Sequence, residues 1–165
     1  MRNYVLLIMT ALLLLGCSAR TSTSTVLDTT QLDTAFHEAE KVLYQLLMPN
    51  SMARTEPRTD AEVLGLLERF RELSRMFEEN PSVSVPFLSA KVSTTPVDRQ
   101  DPAICALQLL FEINNGAARC AILDAQMHPH EVVSRTATGM LRHGEDCLWG
   151  FRQLEQTKHK TMQSS

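Results

Sequence analysis

No apolar run in this chain reaches the roughly 20 residues that a membrane-spanning helix needs. The run from Val5 to Leu15 is eleven residues long and is broken by Thr10; as a helix it would rise about 16 Å, half a hydrocarbon core. A basic cluster is also missing. Lys and Arg number 16 against 19 Asp and Glu, and the two signs are interleaved except at Lys158-His159-Lys160, which reads as a solvated helix end. Phosphate binding draws on clustered Lys and Arg, so nucleic acid is excluded as a partner. There is no phosphate loop, serine elbow or dinucleotide fingerprint. His128-Pro129-His130 brings two imidazoles to one turn, but no Cys-x-x-Cys or His-x-x-x-His completes a metal site, and we read it as a surface turn. Glu78-Glu79 and Glu145-Asp146 lie on polar faces, which leaves paired acid–base work unsupported. Together these absences predict no catalytic residue, no cofactor and no metal. The expectation is that the chain is not an enzyme.

What is present begins at the N-terminus. Met1-Arg2-Asn3 supplies a short positive start, the apolar run follows, and Gly16-Cys17 closes it. Charge, apolar run and small residue in that order describe an export signal over residues 1–16. From Ser18 to Thr30 the chain is rich in Ser and Thr without apolar periodicity, a tether (residues 17–30) with a root-mean-square reach of roughly 20 Å. The remainder is ordinary for one globular domain, in a chain that is 44% hydrophobic and 21% charged.

Leu14-Leu15-Gly16-Cys17 resembles the lipobox of bacterial lipoproteins. That resemblance implies a diacylglycerol on the Cys17 thiol, cleavage just before Cys17, and acylation of the new amino group. Several acyl chains at about 0.8 kcal/mol per buried CH₂ would make the attachment to the bilayer effectively permanent. Ser18 stands where Asp would resemble the signal for inner-membrane retention. The resemblance therefore implies the outer membrane, periplasmic face, as the address.

The body reads as an all-α bundle of four to five helices over residues 31–158, followed by a polar tail at 159–165. Leu32, Ala35, Phe36, Ala39, Val42, Leu43, Leu46 and Leu47 make one stripe, which predicts a helix from about Asp28 to Met48. Thr59 and Glu62 form a capping box for a second helix, which Asn80-Pro81 ends. On its wet side Glu68 is expected with Arg71, and Glu72 with Arg75. Residues 81–100 hold three prolines and a β-leaning run, and are read as one long irregular connection. In its middle, Phe87 and Leu88 either plug the core or offer a partner-binding segment. Asp101-Pro102 opens a third helix, which either ends at Asn114-Asn115-Gly116 or runs on to Met127. A last helix is expected from His130 or Glu131 to about Thr157.

Three cysteines besides Cys17 raise the question of a disulfide. If residues 102–127 are one helix turning back at Pro129, the axial offset is about 9 Å for Cys105–Cys147 and about 13 Å for Cys120–Cys147. Both overshoot the ~6 Å that a disulfide spans, and Cys105–Cys147 is the smaller error. A true turn at 114–116 makes Cys105–Cys120 competitive, and all three can equally be reduced core residues. The expected function is that of a non-catalytic lipoprotein whose bundle binds another envelope protein. It would serve as a pilotin-like assembly or targeting factor of a secretion, pilus or conjugation apparatus. The alternatives are a protective lipoprotein against toxin, phage or conjugating cell, an apolar-ligand carrier, and an envelope enzyme.

Overall fold

The computed structural model of the chain describes residues 28–48, 58–96, 98–144 and 147–148. The lipobox, Cys17, most of the tether and residues 149–165 lie outside them. Helix α1 spans Thr29–Leu47 and α2 spans Asp60–Glu78, each started by a capping box. At α2 the Glu62 amide donates to Thr59 Oγ1 at 3.3 Å while the Thr59 amide donates to Glu62 Oε2 at 2.8 Å. At α1 the same reciprocal arrangement joins Asp28 and Gln31. Two otherwise orphaned amide donors are satisfied at each start. Glu38 lies nine residues before the end of α1 and Arg69 nine after the start of α2, and their side chains meet. Residues before Glu38, from Thr30 to Ala35, line one groove with residues after Arg69, from Glu72 to Met76, so the two helices run antiparallel.

Helix α3, Pro81–Thr94, occupies most of the stretch expected to be irregular. The difference lies in what Pro81 and Pro86 cost where they stand. Pro81 sits in the first turn, where no amide partner exists to lose. Pro86 is inside the helix and takes away the donor for the Ser82 carbonyl, but Ser82 is exposed and water can serve it. Burial of Val85, Leu88 and Val92 along one face outweighs the weak propensity of the segment. The buried Ser84 hydroxyl has no partner among the described residues, a small cost in the same turn.

Helix α4, Asp101–Ile113, is the centre of the fold. Every residue from Ala103 to Leu110 is buried, as befits a stretch that is apolar around its circumference except at Gln108. All five other helices pack against it. Asn114 then takes the left-handed conformation at φ 46° and Asn115 caps α5, Gly116–Asp124, through its side chain to the Ala118 amide at 2.8 Å. The turn reading of 114–116 is thus the one adopted. A 3₁₀ turn, Ala125–Met127, leads to α6, Glu131–His143. Gly144, at φ 64°, ends α6 well before Thr157. Nothing lies within 4 Å of where its Cβ would be, so this glycine serves the backbone turn and admits no close neighbour. The architecture is an all-α bundle of six helices among the described residues, with no strand among them.

Candidate partner-binding surface

The residues singled out by type are absorbed into the structure one after another. Leu88 is fully buried in the core. Phe87 is half-buried, its ring edge-on to Phe36 at 5.9 Å and 78°. Lys91 closes the pair, its ammonium 5.2 Å from one ring centroid and 5.1 Å from the other, while Nζ meets Asp33 at 2.6 Å. This knot joins α1 to α3, and the partner-binding reading of Phe87 and Leu88 gives way to the core one.

Cys105 is a free thiol, so the expected Cys105–Cys147 disulfide is not formed. The offsets behind that pairing assumed one continuous helix over 102–127, and the turn at Asn114 removes the assumption. Cys147 is still close enough for its charge to bear on Cys105. Burial first, then the charges of Glu40 and Cys147, push the Cys105 thiol well above its ordinary value of 9.0. A thiol so held stays protonated and is no nucleophile. Sequence reasoning missed Gln108, a polar residue completely buried in α4. Its Oε1 accepts the Cys147 amide at 2.9 Å and its Nε2 donates to Glu112 at 2.9 Å, which fastens the turn after α6 to the central helix.

The two histidines of the 128–130 turn are caps. His128 Nδ1 accepts the His130 amide at 3.0 Å, and His130 Nδ1 accepts the Val132 amide at 3.2 Å at the start of α6. Among the described residues no group of three His, Cys, Asp or Glu is placed to hold a metal. Cys120, Asp124 and His128 do line one open cleft of about 520 Å³ beside Ser89 and Ser93 of α3. The Ser89 and Ser93 hydroxyls are committed to the Val85 and Ser89 carbonyls at 2.7 and 2.6 Å. No hydrogen bond joins Cys120 to His128 among the described residues, so the cleft lacks the nucleophile–base contact that covalent catalysis needs.

A different surface lies on the α1–α2 hairpin. Thr30, Gln31, Thr34, Ala35 and Glu38 face Arg69, Glu72, Leu73 and Met76 across an open groove of about 540 Å³. Its floor is apolar, from Ala35, Leu73 and Met76. One end is bridged by Arg69, whose Nε donates to Glu38 Oε1 at 3.1 Å and whose Nη1 donates to Glu72 Oε2 at 3.0 Å. Glu72 thus pairs with Arg69, where the sequence pattern gave it to Arg75. The two carboxylates raise the Arg69 pKa further, the hydrogen bond to Glu38 first. Helical periodicity marks Ala35 and Leu73 as core, and both are buried there; the groove above them depends on how the facing helix is offset, which no single stripe records. No helix among the described residues is long and apolar enough to cross a membrane. No family model matches the chain, and no curated protein or solved structure proved similar to it.

Proposed function

We propose that this chain is a lipid-anchored, non-catalytic adaptor of the bacterial envelope, held at the periplasmic face of the outer membrane by acylated Cys17. Its bundle binds another envelope protein, as a pilotin-like assembly or targeting factor does for a secretion, pilus or conjugation apparatus. The observation that supports this reading is the open groove with an apolar floor on α1 and α2. The lipid fixes position, residues 17–27 give reach, and a groove between helices suits a partner's segment. The test has two arms. Mass spectrometry of the mature N-terminus should find an acylated Cys17; an unmodified start downstream of it defeats the anchor. Affinity purification from solubilised envelopes should bring down one apparatus protein in stoichiometric amount, and Cys17→Ala should leave that partner misplaced. Normal apparatus assembly without the chain would end the adaptor reading.

A further inference from the structure

We infer that the α1–α2 groove takes an amphipathic helical segment of a partner protein, with a lysine or arginine beside its apolar face. This deepens the adaptor reading and rests on it. The groove runs from Thr30 to Glu38 on α1, about 12 Å at 1.5 Å per residue, or slightly over two helical turns. That length matches apolar anchors at i, i+3 or i+4, and i+7, the pattern by which a helix is read in a groove. The floor is laid by Ala35 and Leu73, all but buried in the core, with half-buried Met76 as its most accessible apolar side chain, and the lips at Thr30 and Thr34 carry no charge. The Thr34 hydroxyl is already given to the Thr30 carbonyl at 2.8 Å, so the lips ask for no particular polar group.

Charge selects the rest. At the far end two carboxylates, Glu38 and Glu72, share the single guanidinium of Arg69, which leaves a local charge of one negative. The three side chains are 45%, 61% and 48% exposed, and exposed ion pairs of this kind are weak. An incoming cation can therefore share a carboxylate at little cost, while an incoming anion meets two of them. The cation's place at one end also fixes which way the segment lies. The chain's own residues 17–27 fit poorly, since their aliphatic side chains past Ala19 are only Val26 and Leu27, adjacent to each other. A second copy would present a chain of formal net charge −3 to an acidic groove.

The probe is a photoreactive helical peptide with leucines at i, i+3, i+4 and i+7 and flanking lysines, irradiated with the full lipidated chain in neutral detergent. Cross-linked residues are mapped by mass spectrometry, so adsorption to micelles does not count as docking. Saturable labelling of groove residues is expected, at least tenfold above a peptide with the same leucines scattered around the helix. Thr34→Trp and Gln31→Trp, both at exposed positions, should each weaken labelling about tenfold by filling the groove. Glu72→Lys should weaken the lysine peptide roughly threefold to tenfold and favour a glutamate-flanked one. Equal labelling by the scattered peptide, labelling on another face, or indifference to these substitutions overturns the inference. If that happens while an envelope partner still co-purifies, only the groove assignment is lost. A groove that docks the peptide in a chain with no envelope partner would instead overturn the adaptor reading.

Discussion

At Cys105 the proton is held by enclosure in the core first, and then by the negative fields of Glu40 and Cys147. Folding therefore favours the protonated thiol. Below the ordinary thiol value of 9.0 both states carry the proton and this group contributes no slope. Above it the unfolded chain releases its proton first, so stability falls as pH rises, by up to about 1.4 kcal/mol per pH unit. Urea midpoints should hold steady between about pH 7 and 8 and drop beyond pH 9, with a shallower drop in Cys105→Ala. A wild-type curve no steeper than that variant's would refute the assignment. Gln108 makes a second prediction at this scale. Gln108→Leu keeps the bulk but strips the Cys147 amide of its acceptor, which should cost about 1–3 kcal/mol. Hydrogen exchange at that amide should quicken while amides in the middle of α4 move less. Equal change at both would mean that Gln108 matters only as core volume.

Among the elements, α3 shows how far the sequence could be read. The capping box at Thr59 and the Asp28–Met48 stripe were legible because each depends on residues a turn apart along one helix, while the turn at Asn114 stood as one of two readings because Gly116 can also be tolerated inside a helix. Pro86 was not legible, because its penalty falls on the carbonyl of Ser82, and only the folded chain shows that Ser82 is an exposed residue. The end of α6 was missed for a related reason. An apolar stripe continues through Cys147 and Leu148, but Gly144 turns the backbone and the stripe is buried by a different route. The groove was the least legible feature, since it belongs to the offset between two helices. The reading of α3 predicts that Pro86→Ala, which restores a donor to Ser82, stabilises the fold by about 1–3 kcal/mol. Thermal unfolding followed by circular dichroism measures it, and an unchanged or lower midpoint would show that the helix depends on the proline.

For the whole molecule, the position of α4 decides how the fold comes apart. All five other helices lean on it, and Leu107 is fully buried within it. Leu107→Ala should cost about 2–5 kcal/mol and shift unfolding as one transition. Circular dichroism and the fluorescence of the single tryptophan should stay superimposed. Two separated transitions would mean that the α1–α2 hairpin folds apart from the rest. The placement of the groove at the start of α1 carries a further consequence. Ten residues lie between Cys17 and Asp28, and no conformation stretches those eleven Cα steps beyond about 40 Å. On the proposed anchoring of Cys17 in the bilayer, the groove would be confined to a layer of space close above the lipid. Two segments of identical chemistry would then be told apart by altitude alone, the nearer one caught and the farther one never met.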